Sequence, residues 1–140
     1  MRNASAVSRR DSTVNWRGIL AGWLAFGATN LLLIWVLFRH FSDIPAPPDA
    51  PAHPLVGFVI YVTLMIALFA WVTPRIGGPW RAALALGGSQ FLLVNVDMVL
   101  RGDRAIETAL ASSVMMLVTW SALAAVWQFV AIPSSKTRAG

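Results

Sequence analysis

Residues 18–38 read GILAGWLAFGATNLLLIWVLF, from Gly18 to Phe38, 21 residues without a charge. As an α-helix this run is about 31 Å long, which matches a hydrocarbon core of roughly 30 Å. Three similar runs follow: Leu55 to Thr73, Ala82 to Leu100 with the single acid Asp97, and Glu107 to Ile132 with a polar first turn. Lipid offers no water to satisfy backbone N–H and C=O groups, so each run is expected to close its own hydrogen bonds as a helix. The expected fold is all-α: an integral membrane four-helix bundle with spans at about 18–38, 55–73, 82–100 and 107–132.

The composition agrees with that reading. Of 140 residues 57% are hydrophobic and 12% charged, and the mean hydropathy is +0.66. A soluble domain carries about 25% charged residues, so too few polar side chains exist here to cover a wet surface. The absence of cysteine excludes disulfides, thiolate metal sites, iron–sulfur ligation and cysteine catalysis. The net charge of +5 lies in short flanks between apolar blocks, a topology signal and not a nucleic-acid footprint.

The connections fix the organisation of residues 1–140 as one transmembrane domain. Pro74-Arg75-Ile76-Gly77-Gly78-Pro79 and Arg101-Gly102-Asp103-Arg104 are too short to hold a domain, so spans 2, 3 and 4 are antiparallel neighbours. Residues 42–54 contain Pro45, Pro47, Pro48, Pro51 and Pro54 and read as an extended periplasmic strap. Residues 1–15 and 133–140 are polar tails. Ser8-Arg9-Arg10 lacks the apolar residues of a twin-arginine export signal at Asp11-Ser12-Thr13, and the run after it is long for a signal peptide, so the first span is expected to be retained.

Orientation follows from the arginines and lysine. Arg2, Arg9, Arg10, Arg17, Arg75, Arg81, Lys136 and Arg138 fall on one side, against Arg39, Arg101 and Arg104 on the other. The positive-inside rule then places both termini in the cytoplasm. Trp16, Trp71, Trp80 and Trp127 all lie near that side and read as an interfacial belt. Trp16-Arg17-Gly18-Ile19-Leu20-Ala21 and Trp80-Arg81-Ala82-Ala83-Leu84-Ala85 suggest two related helical hairpins, though their alignment needs a gap within the helix.

The opening Val14-Asn15-Trp16-Arg17-Gly18-Ile19-Leu20-Ala21-Gly22, with the turn beginning Pro74-Arg75-Ile76-Gly77, resembles a group of small bacterial inner-membrane proteins of unknown function. That group has four spans, an Asn-Trp-(Lys/Arg)-x-(Ile/Leu)-Leu-x-Gly start and a Pro-Arg-Phe-Gly central loop. The likeness covers about a third of the chain. It implies a bacterial cytoplasmic membrane and the four-span architecture, and it brings no active site. The Asn-x-x-Glu-type pair found in helix 1 of that group is missing, because Asn30 is followed only by apolar residues to Phe38.

Few residues carry chemistry. Asp97 is an acid inside a span, costly in lipid and therefore a functional candidate. It stands four residues before Arg101, and the pair reads as a helix-end ion bridge; a proton or cation relay and a polar contact to a partner subunit are the competing readings. On a regular α-helix Gln90, Val94, Asp97 and Arg101 share a face and Asn95 points elsewhere. For a helix-end pair, Arg101→Leu is expected to destabilise more than Asp97→Asn, with the double change recovering part of the loss. Ser112 belongs to a small-residue stripe, Ala105, Thr108, Ala109, Ser112, Met116 and Thr119, and Gly18-x-x-x-Gly22 with Ala25 and Thr29 forms another; both read first as internal packing.

His40 closes the first span and is the one place where a haem or chlorophyll-type pigment could be ligated, but no second histidine lies in any span. Serines lack a histidine at their depth, and Asp43 and Asp49 flank prolines, so no enzyme constellation and no metal site forms. The expected function is a non-catalytic accessory or scaffolding subunit, packing against partner membrane proteins or itself and associated with a pigment or electron-transfer complex. The alternative is a small oligomeric transporter or channel lined by Asp97, Gln90, Asn95 and Ser112.

Overall fold

The computed structural model describes residues 16–38 and 53–131. Four stretches there are long and apolar enough to cross a membrane: Trp16–Leu37, Pro54–Ile76, Pro79–Leu100 and Ile106–Val130. The first consists of α1 (Trp16–Leu33) continued by a π-helical segment, Ile34–Phe38. The second is α2 (Pro54–Ile76). The third is broken into α3 (Pro79–Gln90), a π-helical segment Phe91–Val96, and the single turn α4 (Asp97–Leu100). The fourth is α5 (Ile106–Ala131). The polar tails, most of the proline strap and His40 lie outside the described residues.

The helix ends have identifiable causes. Pro54 takes the first position of α2, where its missing N–H is no loss, and His53 Nδ1 accepts the Leu55 N–H at 3.3 Å. The helix runs three residues past the expected end at Thr73 and contains Pro74. It stops at Gly77, whose φ of 85° is left-handed, and the Gly78 N–H returns to the Thr73 carbonyl at 3.1 Å in a Schellman closure. Only Gly77 and Gly78 separate α2 from α3, which restarts at Pro79.

Around the bundle, α1 packs against α2 and α5, and α3 packs against α2 and α5, with α1 against α5 the most extensive seam. Glycine makes that seam close: a Cβ at Gly22 would stand 2.9 Å from Leu123 Cδ1 and 3.3 Å from Trp127 Cε3. The small-residue stripes therefore serve internal packing, with Gly18, Gly22, Ala109, Ser112, Met116 and Thr119 all buried.

The centre is aromatic. Phe26 meets Trp120 edge-on at 5.2 Å and Phe69 meets Trp127 edge-on at 5.3 Å, among Val62, Ile66 and Leu123. Such pairs contribute about 0.5–1.5 kcal/mol each beyond burial. This placement corrects the tryptophan belt: Trp16, Trp71 and Trp80 are exposed at one end of the bundle, but Trp127 is 8% exposed and belongs to the core. The π segments begin 18 residues after Trp16 and 11 after Trp80, so the suggested hairpin repeat is not matched position by position in the backbone.

Candidate functional site

The third span decides where its polar side chains point. On an α-helix a step of five residues turns the chain about 140° past a full circle, which would put Asn95 away from Gln90. The π segment closes its hydrogen bonds over five residues, as the Asp97 N–H to Leu92 carbonyl bond shows. A step of five is then about one turn, and Gln90 and Asn95 both face inward. The expected shared face of Gln90 and Asp97, with Asn95 elsewhere, is thereby reversed. The segment holds no proline or glycine, so no residue type in it marks the extra residue in the turn.

Gln90 ties three helices together. Its Nε2 donates to the Tyr61 hydroxyl on α2 at 3.0 Å, and its Oε1 accepts from Trp120 Nε1 on α5 at 3.0 Å. A single amide thus satisfies two amphipathic aromatic side chains in the apolar layer.

Asn95, 2% exposed, anchors a second network nearer the other end. Its Nδ2 donates to Ser113 Oγ at 3.0 Å and approaches Met116 Sδ at 3.7 Å, and Ser113 passes its own hydrogen to the Ala109 carbonyl at 2.6 Å. Its Oδ1 accepts from Arg104 Nη1 at 2.8 Å, and the same Nη1 lies 3.4 Å from Ser112 Oγ. Arg104 therefore bends back from the loop into the mouth of the bundle, where no carboxylate pairs with it among the described residues. Neutral acceptors hold its charge, a cheaper arrangement than an unpartnered cation at this depth. The sequence reading counted Arg104 only toward orientation. The available signal was an unpaired Asn inside a span, which calls for a donor within reach.

Asn30 is buried on α1, toward the same end of the bundle as Asn95 and without a side-chain hydrogen bond among the described residues. The Thr119 hydroxyl, on a residue 1% exposed, has no hydrogen-bond partner among the described residues. Asp97 and Arg101 form the expected bridge, with Nε to Oδ1 at 3.1 Å and Nη2 to Oδ2 at 2.8 Å. Their side chains are 43% and 67% exposed, so the pair lies on the outer face of the bundle, in the last turns of the span and its closing turn. Asp97, Gln90 and Asn95 thus occupy a surface bridge, an aromatic clamp and an inner network.

A groove of about 490 Å³ opens between α3 and α5. Trp80, Ala83, Leu84, Gly87, Gly88 and Phe91 form one wall, facing Ser113, Val114, Met116, Leu117, Trp120 and Ser121. The two glycines differ. A Cβ at Gly87 would press on Trp120 Cδ1 at 2.9 Å, whereas a Cβ at Gly88 would have nothing within 4 Å. Trp80 Nε1 donates to Gln128 Oε1 at 2.6 Å and bridges the two helices at one end.

No family model, curated protein or solved structure matches the chain. The resemblance read from the Asn-Trp-Arg opening accordingly contributes the four-span architecture, which the structure contains, and no family assignment.

Proposed function

We propose that this chain is a non-catalytic subunit of a bacterial cytoplasmic membrane, with both termini inside, acting as an accessory or scaffolding element for a neighbouring membrane protein or a second copy. The observation that carries the reading is the filled interior. The aromatic layer of Phe26, Phe69, Trp120 and Trp127 fills the centre of the bundle, and the amides Gln90 and Asn95 spend their hydrogen bonds on Tyr61 of α2, Trp120 and Ser113 of α5, and Arg104. What remains for function is the outer surface. The Lys and Arg distribution supports the orientation: Arg17, Arg75 and Arg81, with the basic residues of both tails, fall on one side of the spans, against Arg39, Arg101 and Arg104 on the other.

Photo-crosslinking in native membranes tests this reading, with the probe placed in turn at Leu20, Leu64, Leu93 and Leu117, one exposed position per span. A discrete protein adduct from one face and lipid adducts from the others is the expected pattern. Lipid adducts from all four positions, together with solute flux from the purified protein in liposomes, would replace it with the transporter reading.

A further inference from the structure

We propose that the groove between α3 and α5 binds one acyl chain of an anionic phospholipid, with the phosphate held beside Arg81. Three observations converge on that ligand, and none depends on the subunit role.

The first is length. From Trp80 to Phe91 the groove follows 11 helical steps, about 16 Å, which is close to half of a roughly 30 Å hydrocarbon core. With Ser113 of the facing wall beside Asn95, it runs from the exposed Trp80 at one end of the bundle to beyond the middle of the span, a length that a single acyl chain can follow. A partner helix, about 10–12 Å across, would need a seam along the whole span.

The second is shape. Gly87 is required where Trp120 crowds α3, but Gly88 packs against nothing, and the space above it is the groove floor. The lining is apolar apart from Ser113 and Ser121, and the Ser113 hydroxyl is already committed to the Ala109 carbonyl and to Asn95. Such a surface suits a hydrocarbon chain and offers little to a polar ligand.

The third is charge. Arg81 is not part of the lining but follows Trp80 at the same end of the bundle, and it is exposed, with no hydrogen bond or ion pair among the described residues. Its Nη1 lies over the α2–α3 turn, 3.3 Å from where a Gly77 Cβ would stand. Arg75, stacked on Trp71 at 4.0 Å, and Arg17 share that end, and no acid among the described residues does. A guanidinium edge pairs readily with phosphate oxygens, and this end favours a lipid of net negative charge over a zwitterionic one.

Native mass spectrometry of the delipidated full chain, titrated with phosphatidylglycerol or phosphatidylcholine of identical acyl chains, tests the proposal. Phosphatidylglycerol should bind several-fold more tightly. Gly88→Leu should fill the groove and remove most binding of both lipids while the thermal unfolding midpoint stays near wild type; Ser121→Leu, on the opposite wall, serves the same purpose if Gly88→Leu fails to fold. Arg81→Gln should cut the phosphatidylglycerol preference by about fivefold and leave phosphatidylcholine unchanged. Equal affinity for the two lipids, or a preference that survives either a groove-filling variant or Arg81→Gln, would overturn the assignment. So would a protein adduct from a photo-crosslinker at Leu117 in native membranes, which would give the groove to a partner helix; an adduct at any other face would leave it standing.

Discussion

The two halves of this bundle are built on opposite terms. Toward the end that holds Trp16, Trp71 and Trp80, the helices are regular, glycine brings α1 against α5, and Phe69 and Trp127 fill the centre. Toward the other end both odd-numbered spans pass into π geometry, and the interior carries Asn30, Asn95, Ser112 and the inward arm of Arg104. The contrast teaches that close packing and polar satisfaction are alternative ways to hold helices together where no hydrophobic force joins them. The first demands small residues at fixed positions. The second demands that a span be rotated until its amide finds donors, and the extra residue of a π turn supplies the rotation.

The largest effect expected of this contrast is at Phe69. Phe69→Ala removes a fully buried ring between Trp120 and Trp127 and should cost about 3–5 kcal/mol, seen as a large drop in the unfolding midpoint in detergent. A smaller loss than that of any polar-half variant would show that the aromatic half is not the stable one. Next comes a comparison of two arginines three residues apart. Arg104→Leu leaves the buried Asn95 oxygen without its donor and should cost about 1–3 kcal/mol. Arg101→Leu leaves Asp97 without its cation, but in the last turn of the span and within reach of interfacial water, and should cost about 0–1 kcal/mol. Equal losses in the same thermal assay would mean that the inner network contributes no more than the outer bridge. The smallest effect is at Thr119, where Thr119→Val removes a buried hydroxyl without a partner and should raise stability by up to about 1 kcal/mol. Destabilisation there would reveal a hydrogen bond to a group outside the described residues.

The spans were legible because hydropathy measures what lipid requires of a helix as a whole. Which face of each helix points inward was not, because the solvent outside is as apolar as the core within. Trp127 has the same chemistry as Trp16, yet one is packed against Gly22 and Phe69 and the other is exposed. The Asp97–Arg101 bridge was readable from spacing alone, since i,i+4 neighbours meet on any helix. Asn95 was misplaced for the converse reason: its direction depends on a local change of helical pitch that no residue type announces. Arg104 was legible as a charge but not as a donor, because its acceptor lies across a turn and depends on that same pitch.

The long seam between α1 and α5 has a consequence in time. Ribosomes deliver the chain at about 5–20 residues per second, and roughly 70 residues separate the end of α1 from the start of α5. For about 4–15 s, then, the first span stands in the bilayer before its principal partner exists. The faces of Gly18 and Gly22 spend that interval against lipid or against α2, while the two-residue turn at Gly77-Gly78 lets α2 and α3 pair at once. The bundle therefore closes only when the last span of the sequence reaches the first.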